Sequence, residues 1–199
     1  MELQNFNNDF LLIRTAPGAA LGRYLLAHPP DFVGEVLVTE TEICLPLRRN
    51  FTGADEAVLR RLLAEAPRYD PPGRSNSVPF VFSDHPDWEA VERHTQLSRT
   101  DIEQQLTALT FRVAQFGFLP GFVYLTGLPD QLHVPRKATP AKYVAAGSVA
   151  IGGKYVGIYP TDSPGGWHVV GRVVEPIFQP DRLPPVEWQL GDAIRLCPV

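Results

Sequence analysis

The chain has 199 residues, 44% hydrophobic and 20% charged, with a formal net charge of -4 and a pI near 5.7. This is the make-up of a globular chain of one large or two small domains, and it argues against general nucleic-acid binding, which needs a basic face. No apolar run approaches the ~20 residues of a membrane span, and Met1-Glu2-Leu3-Gln4 does not read as a signal peptide.

In chain order, Asp9–Ile13 predicts a strand and Leu21–Leu26 a short amphipathic helix. Glu35–Val38 and Ile43–Leu47 follow as two strands joined by the polar turn Thr39–Glu42. Thr52 with Asp55 three residues on is a capping-box pattern, with Ala57, Val58, Leu59, Leu62 and Leu63 as the helix stripe behind it. Pro67–Ser77 predicts a loop and Val78–Phe82 a strand. The order β-α-β-β-α-β is that of a ferredoxin-like α/β domain.

Two helices are expected next, Ser83–Thr95 and a second one capped by Ser98 with Asp101 and ending near Leu109. Beyond Thr110 the pattern changes to short strands parted by Gly and Pro: Phe111–Phe116, Val144–Ile151, Tyr155–Tyr159 and Trp167–Val174. Such spacing predicts a closed β-barrel. The expected class is α+β, with an α/β domain over 1–90 and a barrel domain over 91–199.

Ten of the sixteen glycines fall between Phe116 and Arg172, interleaved with aromatics. Glycine serves where φ is positive or where backbone approaches something closely, so this stretch is the candidate site. Gly147–Tyr155 resembles a phosphate loop only superficially: its lysine falls one position late, and Tyr155 stands where Ser or Thr would hold magnesium. Ser148 lacks the Gly-x-Ser-x-Gly elbow of an activated nucleophile. The histidines at 28, 85, 94, 133 and 168 show no metal-ligand spacing, so no metal is expected. Cys44 and Cys197, two and far apart, suit a cytoplasmic chain with thiols. Arg136, between Pro135 and Lys137, is the sharpest candidate for an anion, because a guanidinium can take a carboxylate through two bonds. Phe118, Phe122, Tyr124, Tyr159 and Trp167 suit either a pocket wall or a small barrel core.

The runs Phe116–Leu125, Gly127-Leu128-Pro129, Pro135-Arg136, Ala146–Val149, Gly157–Pro160, Ser163–Trp167 and Gly191–Leu196 together resemble one family. It is the allophanate hydrolase subunit 1 type, which includes the B-type subunit of 5-oxoprolinase and the KipI kinase inhibitor. The resemblance implies a cyclophilin-like barrel behind the N-terminal domain. It also implies a chain that forms a composite site with a larger subunit-2-type partner (the C-type subunit of 5-oxoprolinase), with the A-type subunit as a further component. It implies ATP-coupled opening of 5-oxo-L-proline to L-glutamate in the assembled complex, with ATP and Mg expected there and no cofactor held by this chain alone. Carried over by motif, Arg136 and Ser148 are the expected catalytic residues. Phe118, Pro120, Gly121, Tyr124, Gly152, Tyr159, Ser163, Gly165, Gly166 and Trp167 are the expected binding residues for a small anionic substrate. The chain departs from the family at Leu106 and Ala141, where relatives commonly have histidine and a second arginine. The alternative implied function is that of a KipI-type inhibitor, with Phe122, Tyr124 and Trp167 as exposed anchors on a histidine kinase. Neither function involves nucleic acid or membrane.

Overall fold

Asn7 and Asn8 take left-handed backbone (φ 52° and 61°) and turn the first strand back on the second, a conformation that asparagine tolerates better than most residues. The computed structural model, which describes residues 2–15, 18–66 and 73–199, divides into two units, Met1–Pro72 and Gly73–Val199. In the first unit, β1 (Glu2–Phe6), β2 (Phe10–Arg14), β3 (Leu37–Val38) and β4 (Glu42–Pro46) form an antiparallel sheet in the order β1-β2-β4-β3. Helices α1 (Ala19–Ala27) and α2 (Gly53–Glu65) bring Leu25 and Leu59 into one buried cluster with Leu11 and Ile13 of β2 and Ile43 and Leu45 of β4. The alternation of these sheet residues is that of strands with one buried face.

This corrects the expected β-α-β-β-α-β order. The sheet takes its remaining edge strand from residues 2–6, and the strand predicted over 78–82 belongs to the second unit. The boundary therefore lies before that strand rather than near residue 90. The first part of the loop predicted over 67–77, residues 67–72, lies outside the described residues.

In the second unit, β5 (Ser75–Phe82) is followed by α3 (Asp87–Thr95) and α4 (Arg99–Ala108), then β6 (Phe111–Phe116) and β7 (Val123–Thr126). After them come β8 (Ala141–Val144), β9 (Ser148–Gly152), β10 (Tyr155–Ile158), β11 (Ser163–Gly165), β12 (His168–Val173) and β13 (Ala193–Pro198). Seven strands close a barrel in the order β10-β7-β6-β13-β5-β12-β9, with β9 paired back to β10. The final strand is inserted between β6 and β5, and it runs parallel to β5. Buried Asp192 stitches this junction, accepting from the Arg74 amide at 2.9 Å and the Gln189 amide at 2.8 Å.

The barrel expected from the strand spacing is present, but the single strand predicted over Val144–Ile151 is two. Gly147, at φ 80°, turns the chain from β8, which pairs with β11 in a two-stranded sheet outside the barrel, into β9. Among the described residues no helix is long and apolar enough to cross a membrane.

Both predicted caps form. Ser98 Oγ accepts from the Asp101 amide at 3.2 Å. On α2, Thr52 Oγ1 accepts from the Asp55 amide at 3.4 Å while Asp55 Oδ2 accepts from the Thr52 amide at 2.9 Å. Arg49 adds two bonds to the same carboxylate at 2.6 and 2.7 Å. The guanidinium first, and then the Thr52 hydroxyl, hold the Asp55 carboxyl well below the usual carboxylate range. A carboxyl held low when folded contributes stability that is full above its unfolded value of about 4 and is lost as pH falls through the folded value. Urea unfolding of the first unit's signal from about pH 5 to pH 2 is expected to fall more steeply in the native chain than in Asp55→Asn. Equal slopes would contradict the assignment.

Candidate functional site

The site is built on the side of the barrel that glycine keeps bare. Strand alternation buries Val123 and Leu125, Val149 and Ile151, and Val156 and Ile158 on one face of β7, β9 and β10. Tyr124, Ala150, Gly152 and Gly157 fall on the other face, with Gly157 opposite both Tyr124 and Ala150. A Cβ at Gly152 would lie 2.4 Å from the Trp167 ring, and one at Gly157 would lie 2.7 Å from the Trp167 and Phe122 rings. Both are impossible contacts, so the indole rests directly on strand backbone.

Phe122 meets this surface edge-on, its centroid 5.6 Å from Trp167, 5.0 Å from Tyr159 and 4.9 Å from Tyr124. The ribbon of β8 and β11 brings Ser163, Gly165 and Gly166 to the opposite side. Gly165 is obligatory there, because a Cβ would stand 2.3 Å from the Tyr159 hydroxyl. Between these parts lies a cleft of about 460 Å³, within the range of small-molecule sites.

One short segment carries the cleft's positive charge, and it is pinned on both sides of Arg136. The Pro135 carbonyl accepts from His168 Nε2 at 3.0 Å, which fixes the tautomer, and the Lys137 amide donates to the Gly166 carbonyl at 2.7 Å. Lys137 Nζ stands 2.6 Å from Asp87 Oδ2. The same oxygen accepts from the Val169 amide at 2.8 Å, tying the first residue of α3 to β12. His168 is buried, and that burial pushes its imidazole below the ordinary value, which favours the neutral ring. Arg136 itself is exposed, with its Cζ 5.6 Å from the Trp167 ring centroid and no carboxylate within ion-pair distance among the described residues.

Burial raises the Tyr124 phenol above its usual value, against the opposing field of Arg136. Burial likewise raises Tyr159, against a hydrogen bond from the Trp167 backbone. Both phenols are therefore neutral near pH 7. Among the described residues the cleft lining contains no His, Cys, Asp or Glu, and Ser163 Oγ donates to the neighbouring Pro164 carbonyl. The arrangement can grip and orient a small anion, but it offers no activated nucleophile or general base.

Of the residues predicted from sequence, Phe118, Tyr124, Arg136, Tyr159, Ser163, Gly165, Gly166 and Trp167 are brought together at the cleft. Ser148, Pro120, Gly121 and Gly152 are not among its lining residues. Ser148 is buried in β9. Gly121, at φ 82°, makes room for the Phe178 ring, and Gly152 lies behind Trp167. Leu106 is buried on α4, and Ala141 packs on the edge of the aromatic cluster. Leu119, Phe122, Lys137, Pro140 and Pro164 also line the cleft. Sequence reasoning did not pair Lys137 with Asp87, since only the fold joins them. Phe122 and Trp167 are 1% and 5% exposed, so neither is the surface anchor the kinase-binding alternative expects. Phe118 is 60% exposed, with φ 68°, and its ring stands edge-on to Phe122 at 5.4 Å.

A family model for the carboxyltransferase domain, subdomains C and D, matches residues 18–188. The B-type 5-oxoprolinase subunit of Escherichia coli O157:H7 is 38% identical over 177 residues, covering 87% of this chain and 81% of that protein. The B-type 5-oxoprolinase subunit of Haemophilus influenzae is 38% identical over 139 residues, covering 69% of this chain and 65% of that protein. The crystal structure of TTHA0988 superposes with a TM-score of 0.81 at 28% identity over 96% of this chain, which spans 39% of that one.

The glycine floor gives a direct test. Gly152→Ala is expected to destabilise the second unit by about 1–3 kcal/mol, the usual cost of overpacking, because the new methyl must displace Trp167. Urea unfolding read by near-ultraviolet circular dichroism measures this, and an unchanged midpoint and aromatic signal would contradict it.

Proposed function

The chain belongs to the carboxyltransferase-domain family, subdomains C and D, and from that membership we propose that it is one subunit of a 5-oxoprolinase complex. In this reading the cleft holds 5-oxo-L-proline, and a subunit-2-type partner (the C-type 5-oxoprolinase subunit) completes the site, with the A-type subunit as a further component, in the cytoplasm. The observation that carries the reading is Arg136: an exposed guanidinium without an ion-pair partner among the described residues, held over the Trp167 ring by a segment pinned on either side. A planar fork of donors at the mouth of an aromatic cleft suits bidentate capture of a carboxylate. The aromatic walls cover the apolar ring of the substrate, and the neutral phenols of Tyr124 and Tyr159 add oriented dipoles rather than opposing charge.

The lack of a nucleophile or base in the cleft lining supports a division of labour, in which this chain orients the lactam and its partners supply ATP-coupled chemistry. ATP and Mg belong to the partners in this reading. Gly152 ends β9, and Gly153 with Lys154 turns the chain into β10 without opening a helix, so the run does not fit the phosphate-cradling geometry of a nucleotide loop.

Steady-state kinetics of the complex reconstituted with its host's partner subunits provide the test. Arg136→Ala is expected to lower kcat/KM for 5-oxo-L-proline by about tenfold or more, the scale of a lost charge-assisted pair, chiefly through KM. Arg136→Lys should restore only part of it, because a point charge cannot bond through a planar fork. Unchanged kinetics in Arg136→Ala would refute the role.

A further inference from the structure

We infer that Lys137 is a second ligand-contacting cation of the cleft, held in place by Asp87, and that with Arg136 it selects a small lactam or amide bearing a carboxylate at one end and a carbonyl oxygen at the other. The inference rests on the proposed function and adds the group that reads the second end of the substrate.

Adjacent residues in extended chain point to opposite sides, yet Arg136 and Lys137 both line this cleft. The turn that allows it is fixed by the Lys137 amide on the Gly166 carbonyl and by its ammonium on Asp87. Asp87 does not depend on the lysine for a partner. Its Oδ2 also accepts from the Val169 amide, and it sits in the first turn of α3, where the helix dipole favours a negative charge. The dependence runs the other way: the carboxylate is a fixed post, and the lysine is the group it aims.

The side chain of Lys137 is only 17% exposed, although lysine ordinarily extends into water. A largely buried ion pair is weak evidence of a stabilising role, because desolvation offsets the attraction. An ammonium has three donors, and the contact with Asp87 uses one. The remaining donors belong to a residue that lines a cleft whose other walls, Leu119, Phe122, Pro140 and Trp167, are largely apolar. In such a cleft a few polar groups set the ligand's orientation. The two cations also differ in kind. A planar fork suits the two oxygens of a carboxylate, and a compact point charge suits the single oxygen of an amide carbonyl. Asp87 is thus a positioning residue and Lys137 a binding residue.

Ligand-observed NMR titration of the full chain, alone and with its host's subunit-2-type partner, separates the two ends with three probes. These are 5-oxo-L-proline, 2-pyrrolidinone (the lactam without the carboxylate) and cyclopentanecarboxylate (the carboxylate without the lactam). Lys137→Met is expected to weaken the two lactams about tenfold or more, the loss of a charge-assisted bond, and to leave cyclopentanecarboxylate nearly unchanged. Asp87→Asn should give the same selectivity to a smaller extent, Lys137→Arg should retain only part of the lactam binding, and Arg136→Ala should show the mirror pattern. The ratio between probes is insensitive to a general loosening of the fold, and thermal unfolding of each variant checks for one. Equal losses on all three probes, or no loss on any, in Lys137→Met would overturn the assignment while leaving the proposed function standing. Failure of the native chain to bind any probe, with or without the partner, would overturn both.

Discussion

The indole of Trp167 lies against strand backbone at Gly152 and Gly157 with no space for a side chain at either position, and the rest of the site takes its place from that contact. Phe122 stands on the indole edge-on, and Tyr124 and Tyr155 contact it at 5.4 and 6.5 Å between ring centroids. The backbone of the same residue holds the Tyr159 hydroxyl, and Arg136 reaches the ring from the pinned segment. Aromatic contacts of this kind add about 0.5–1.5 kcal/mol each beyond burial, but their larger effect is directional. They orient the indole that the Arg136 guanidinium lies over.

The second frame is polar. Asp87 joins the start of α3 to β12 and to Lys137, while His168, held neutral by burial, anchors the Pro135 carbonyl. A floor of rings and a clamp of hydrogen bonds thus converge on one cleft from separate elements of the second unit. The cleft is rich in positive charge and poor in acid–base groups. In the proposed reading, that asymmetry makes the chain the part that orients a ligand, with the reacting groups supplied by its partners.

Local chemistry was the most legible part of the sequence. Thr52 with Asp55 and Ser98 with Asp101 announced two helix starts, because a cap is decided within four residues. The strand Phe111–Phe116 was likewise readable from its composition and bounding turns. The first strand was not read, although Asn7-Asn8 is a usable hairpin signal. The pattern over 78–82 reads as a strand of the first unit, whereas the partners of β5, β12 and β13, lie near the other end of the chain. Within the site, clustered Gly and aromatic residues pointed to Arg136, Tyr159 and Trp167. Composition could not separate Gly165, which makes room at the cleft, from Gly152, which lies behind the indole; strand register and the path of the ribbon decide that. Asp87 and Lys137 are fifty positions apart and carry no shared motif, so only the fold reveals the pair.

The central claim, that this chain is the orienting part of a composite lactam-cleaving site, is tested most directly by removing it. The chain is tagged at its native locus, its complex is purified from the host, and ATP-dependent release of glutamate from 5-oxo-L-proline is measured with the chain present, deleted and added back. The account predicts that a subunit-2-type protein co-purifies, that activity disappears on deletion, and that the purified chain restores it. A chain that purifies alone, or a deletion strain whose extract cleaves 5-oxo-L-proline at the native rate, would contradict it.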